Sequence, residues 1–158
     1  MEPIIKSFDL RFASIHERSR EVVRTIAEDD LFRRPRAQER SMAPLSVGEL
    51  ILRSAASVEQ TFGGITTRLW DDPFEWTLPE KLSTRLLVND YLDEVESTRS
   101  NAFKFFSWDT ELTKQIPAPE KLRTLADILL ETVARAEHYQ GRAFAVFQMI
   151  SDVKLSRF

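Results

Sequence analysis

Apolar residues recur three and four positions apart along most of this chain, and four stretches hold that spacing long enough to predict helices. The first, residues 7–30, places Phe8, Phe12, Ile15, Val22 and Ile26 on one stripe and leaves Glu17, Arg18, Arg20, Glu21 and Arg24 toward solvent, with His16 among these charged positions. Residues 33–44 carry two prolines and many charges, which predicts an irregular connection. A second helix opens at Ser46, whose hydroxyl can cap the free amides while Glu49 reaches back and Leu45 packs on Leu50. Its predicted inner stripe is Val47, Leu50, Ile51, Val58, Phe62, Ile65 and Leu69. The adjacent Gly63 and Gly64 weaken a helix by about 1 kcal/mol each relative to Ala, so they predict an end, a bend or the close approach of a neighbour.

Residues 70–82 read WDDPFEWTLPEKL, which predicts an ordered loop pinned by aromatic anchors. Trp70, Trp76 and Trp108 all fall at or beyond helix ends, where large aromatics usually seal a core. The third helix, residues 83–108, turns Val88, Tyr91, Leu92, Val95, Ala102 and Phe105 inward. A proline-containing break, QIPAPEKLR at 115–123, separates it from the fourth. There Thr124 serves as the cap, with Asp127 at the third helical position and Leu125, Leu129, Ala136, Tyr139, Ala143, Phe147 and Ile150 as the inner stripe. No strand alternation or internal repeat interrupts this pattern. It predicts an all-α fold, an antiparallel four-helix bundle forming a single domain over residues 1–158.

Composition narrows the function. Apolar residues at 42% and charged residues at 30% support a packed core under a solvated surface. A formal net charge of -3 provides no positive field for a phosphate backbone, so nucleic acid is not an expected partner. The absence of Cys removes disulfides, thiolate metal ligands and a Cys nucleophile, and fits a reducing compartment. No signal-peptide pattern and no window approaching the ~20 apolar residues of a membrane span are present, so the expectation is a cytoplasmic chain without a membrane partner. Eleven Phe on a small fold leave apolar area that pairing would bury, which predicts a homodimer. Walker-type and dinucleotide-binding glycine motifs are absent, as are G-x-S-x-G and H-E-x-x-H, and no cofactor is expected.

Two segments carry a resemblance. SVGELILR at 46–53 resembles the T-V-G-E-L-L-x-H opening of helix two in the DinB/YfiT-like superfamily, and RAEHYQGR at 135–142 resembles that family's H-x-x-H-H-R-G-Q. The long first helix, the proline-rich approach to helix two and the capped fourth helix are similar too. The resemblance implies a four-helix bundle, often dimeric, with a divalent metal held by one His of helix two and two of helix four. Its members include thiol-dependent S-transferases and isomerases. Aligned on Gly141, this chain has Arg53, Arg135 and Tyr139 at the three His positions; a shift by one would bring Ala134 and His138 to the helix-four positions instead. Arginine is always cationic and offers no lone pair, and tyrosine ionises near pH 10, so no metal site of the family type is expected.

Arg53, Arg135 and Tyr139, with His138 beside them, are therefore the candidate ligand pocket. His138 is open to two readings, as a ligand remnant or general base and as a surface residue. Arg53 and Arg135 also have two. Each can pair with a carboxylate such as Glu49, Glu59 or Glu131, or both can share a cavity with Tyr139 and bind a carboxylate or phosphate. Asp127 and Glu131 share a helix face without assigned chemistry. The expected function is a DinB-like bundle acting as a metal-free small-molecule (anion) binding or interaction protein. The alternative is a divalent-metal-dependent thiol S-transferase or hydrolase using other ligands, and neither reading assigns a catalytic residue.

Overall fold

A computed structural model describes residues 1–36 and 44–156; most of the predicted connection at 33–44 lies outside the described residues. Four long helices carry the fold. The first, α1 (Pro3–Thr25), begins earlier than the apolar period predicts. Proline suits the first turn of a helix. The Asp109 carboxylate, from far along the chain, accepts from the amides of Ile4 (3.1 Å) and Ile5 (2.9 Å). A short 3-10 turn at Glu28–Asp30 follows.

Helix α2 (Val47–Thr67) starts as its sequence predicts: the Glu49 amide donates to Ser46 Oγ at 3.2 Å and the Ser46 amide to Glu49 Oε2 at 2.8 Å. Helix α3 (Arg85–Phe103) is capped by Thr84, and α4 (Leu125–Ile150) by Thr124, which accepts from the Asp127 amide at 3.2 Å. The break before α4 contains two short antiparallel strands, β1 (Gln115–Pro117) and β2 (Leu122–Thr124), with Ile116 opposite Arg123. Three-residue strands are too short to show an alternation in sequence, and this pair corrects the expectation of none.

Cross-helix bonds fix the helix directions. Asp9 meets Arg99 and Arg20 meets Asp93, so α1 and α3 are antiparallel. Ser54 donates to the Ala136 carbonyl and Thr61 bonds Thr132, so α2 and α4 are antiparallel too. Arg11 meets Glu137 while Ser19 meets Gln140, and Phe62 meets Phe103 while Glu59 meets Tyr91. Thus α1 runs parallel to α4, and α2 parallel to α3. Neighbours in this bundle are not uniformly antiparallel. Because α2 and α3 run the same way, the chain between them, residues 68–84, must return along the whole length of α2, about 30 Å at 1.5 Å per residue. That path builds one wall of the cavity described below.

The core centres on Phe12, Phe62 and Phe103. Phe12 and Phe62 meet edge to face at 5.2 Å, Phe62 and Phe103 stand 5.4 Å apart, and Phe106 extends the cluster from Phe103 at 5.6 Å. Most predicted stripe residues are buried, with instructive exceptions. Leu69 lies past the end of α2 and Phe105 past the end of α3, so the helical period stops and both are exposed; Phe103 and Phe106 fill the core in their place. Trp108 is 63% exposed and does not seal the core.

Two residues expected in solvent turn inward. Arg18 is buried, its guanidinium meeting Glu137 of α4. His16 has only 11% of its side chain exposed, against Asp93 of α3 at 3.6 Å and Glu17 at 3.8 Å, with Glu96 and Arg20 also near. Burial lowers its pKa from the ordinary value near 6.5, and the surrounding carboxylates only partly oppose this. Below about pH 6.5 the unfolded chain then holds more protons than the folded one, so His16 costs stability as the pH falls, by at most about 1.4 kcal/mol per unit. Urea denaturation at pH 7.5 and 5.5 checks this: His16→Gln loses less stability between the two than the parent chain does. An equal loss would show that His16 titrates alike in both states.

The glycine pair does not end α2, which continues to Thr67. A Cβ on Gly64 would fall 2.3 Å from the Trp70 ring, so the glycine admits that ring against the helix, where Trp70 Nε1 donates to the Pro117 carbonyl at 3.1 Å. Gly64→Ala therefore lowers stability by about 1–2 kcal/mol and shifts Trp emission to the red. Helix propensity alone gives the opposite sign, a gain of about 1 kcal/mol. At the end of α2, Arg68 holds a left-handed backbone (φ 64°), where a side chain costs roughly 1–2 kcal/mol relative to glycine.

Candidate functional site

Arg53 stands on α2 just past the capping box, with Ser57 four and Gln60 seven residues on, so the three share one helix face. On the facing α4, Arg135 and Tyr139 are likewise four apart. The 68–84 connection adds Asp72, Phe74 and Thr77. Together they line a cavity of about 190 Å³. Arg53, Arg135 and Tyr139, which come together only through sequence alignment, thus meet in space. His138 does not line this cavity; it is exposed on α4, its ring edge-on to Tyr139 at 5.7 Å.

The charges divide unequally. Arg135 pairs with Glu131, which also takes Arg123 at 2.5 Å, and Arg123 holds Asp127 at 2.6 Å. The Arg123 hydrogen bond, with Arg135, keeps the Glu131 carboxyl below its ordinary range. This ladder of two arginines and two carboxylates is neutral. Arg53 is outside it. Of the three acids that could have paired with it, Glu131 belongs to the ladder. Glu49 is engaged by Arg34 and by the Ser46 amide and hydroxyl; burial pushes its carboxyl up, but these partners outweigh burial and hold it below the ordinary range. Glu59 accepts from the Tyr91 hydroxyl and from Trp76 Nε1 at 3.4 Å. Burial, reinforced by Glu59, pushes the Tyr91 hydroxyl up, so it remains a proton donor.

Among the described residues no carboxylate lies within ion-pair distance of Arg53, whose guanidinium instead sits over the Phe74 ring at 5.3 Å. Asp72, the one carboxylate among the described residues that line the cavity, accepts from the Phe74 amide at 3.0 Å and caps the 3-10 turn at Pro73–Glu75. The Tyr139 hydroxyl makes no hydrogen bond to a described residue. The cavity therefore offers a cation that no described carboxylate pairs and a hydroxyl that no described residue bonds.

The chain matches no protein-family model, no curated protein and no solved structure. Nor do its residues fit the metal that the resemblance implies. Among the described residues no group of three or more His, Cys, Asp or Glu is placed to hold an ion, and a guanidinium at a ligand position repels a cation. No described helix is long and apolar enough to cross a membrane.

Phe74, Asp72 and Thr77 were not legible as site residues. Their place depends on the return path of the 68–84 connection, which periodicity does not encode. The one local signal was WDDPFEWTLPEKL itself, whose prolines and aromatics mark a segment that packs. A second cleft of about 430 Å³ adjoins the first, sharing Gln60 and Arg135 and floored by the buried Thr61–Thr132 hydroxyl pair at 2.7 Å.

Proposed function

We propose that this chain is a bundle of the DinB/YfiT-like type that binds a small molecule through its carboxylate or phosphate group, without a metal, in the cavity between α2, α4 and the 68–84 connection. The supporting observation is Arg53: a cation in a cavity, with a hydroxyl donor beside it and no described carboxylate within ion-pair distance. Convergence of Arg53, Arg135 and Tyr139 on one cavity supports the family reading, because the alignment chose these positions without reference to space. An anion there gains charge-assisted bonds from Arg53 and a further donor in Tyr139, while Phe74 limits what lies beyond the charged group.

Thermal unfolding with inorganic phosphate, against sodium chloride of equal ionic strength, tests the reading. A ligand at 100 times its Kd stabilises by about 2.7 kcal/mol, which raises the Tm of a domain of this size by several degrees. Arg53→Met removes that increase while changing ligand-free stability by no more than about 1 kcal/mol, since it strands no described carboxylate. A large ligand-free loss would instead place Arg53 in a closed ion pair.

A further inference from the structure

A further cavity, separate from the Arg53 cavity and the cleft adjoining it, lies where α2 and α3 end and α4 begins, sharing no lining residue with either. It measures about 290 Å³. Its floor is apolar and buried, formed by Ala102, Phe106, Ile116 and Leu125 with Ile65 partly covered. Its mouth is different. Phe105 stands there 77% exposed, and the exposed Arg68 and Lys114 also line it.

Neither cation has a described carboxylate within ion-pair distance. Glu111 lines the same cavity, but its Oε2 accepts from the amides of Ser107 (2.7 Å) and Trp108 (3.0 Å), which ties it to its own turn. Two cations face one carboxylate already engaged, so the mouth keeps a positive excess. Arg68 also occupies the left-handed position at which glycine is unstrained, and the chain places a long cation there despite that strain. Water against the floor would find few polar partners, and apolar cavities of this kind hold hydrocarbon more readily than water. The volume is about twice that of an engineered ~150 Å³ cavity that takes up benzene, which suits a hydrocarbon of about eight to ten carbons.

We propose that this end cavity binds a medium-chain carboxylate, its hydrocarbon on Ile65, Phe106, Ile116 and Leu125 and its carboxylate against Arg68 and Lys114. Charge and shape select together. A neutral chain of equal length loses the two cations, and a short carboxylate loses the floor.

Titration calorimetry of the full chain with sodium octanoate, 1-octanol and sodium acetate tests the proposal. Octanoate binds, octanol binds at least tenfold more weakly, and acetate gives no saturable heat. Arg68→Gly brings octanoate down to the level of octanol while leaving the Tm unchanged or higher, because it relieves the left-handed strain. Lys114→Gln weakens octanoate in the same direction and decides the matter if Arg68→Gly disturbs the fold. Arg142→Gln, which removes a charge from the exposed part of α4, changes nothing. The proposal is overturned if octanoate shows no binding up to about 10 mM, if it binds no better than octanol, if neither Arg68→Gly nor Lys114→Gln weakens it, or if Arg142→Gln weakens it equally.

Discussion

Phe62→Ala lowers the unfolding free energy by about 4 kcal/mol and the Tm by roughly 10 °C. Phe62 is fully buried, and its ring meets Phe12 of α1 at 5.2 Å and Phe103 of α3 at 5.4 Å. Its removal thus opens a cavity among three helices and ends two aromatic contacts, each contributing about 0.5–1.5 kcal/mol beyond area burial. Equilibrium denaturation in urea measures the loss. Phe62→Leu, which keeps most of the volume, costs about 1–2 kcal/mol. A loss below about 2 kcal/mol for Phe62→Ala would mean that α1 and α3 close over the gap and that the cluster is not the centre of the core.

Arg99→Met removes about 3 kcal/mol by a different route. Arg99 is only 4% exposed, bonds Asp9 of α1 and Glu96 on its own helix (2.8 Å from Nε), and lies 5.4 Å from the Phe103 ring. Methionine keeps the apolar stem but leaves two half-buried carboxylates facing each other without a cation. The control is to remove their charge as well: Asp9→Asn with Glu96→Gln in the Arg99→Met background recovers at least half of the loss. If the triple variant is as unstable as Arg99→Met alone, packing rather than stranded charge explains the effect. Because Arg99 and Phe62 both touch Phe103, their losses combine non-additively.

Arg99 also marks where sequence reading reaches its limit. Helix starts at Ser46 and Thr124 were legible because a cap and its partner lie three residues apart, within one turn. The stripes were legible because burial repeats with the helix. A buried Arg18 or Arg99, or a half-buried His16, looks like a solvated residue until the partners, Glu137, Asp9 and Asp93, arrive from other helices. Helix direction was hidden for a similar reason, since an apolar stripe has the same period in either sense. The ends of α2 and α3 were overrun at Leu69 and Phe105, whose apolar character suited the stripe after the backbone had left it.

The candidate site divides along the same line. Arg53 on α2, with Arg135 and Tyr139 on α4, could be aligned from two short motifs on facing helices. Phe74, Asp72 and Thr77 could not, because a long connection has no period. The pairing of Arg135 with Glu131 was local at four residues' spacing, whereas Arg53 remained apart because Glu49 and Glu59 bond Arg34 and Tyr91 from elsewhere in the fold.

The most direct test of the anion-binding account is a crystal of the protein grown with selenate, whose selenium gives an anomalous signal. A peak is expected in the cavity bounded by Arg53, Arg135 and Tyr139, within hydrogen-bond reach of Arg53, and it is lost in Arg53→Met crystals grown the same way. An empty cavity with Arg53 closed onto a carboxylate would contradict it.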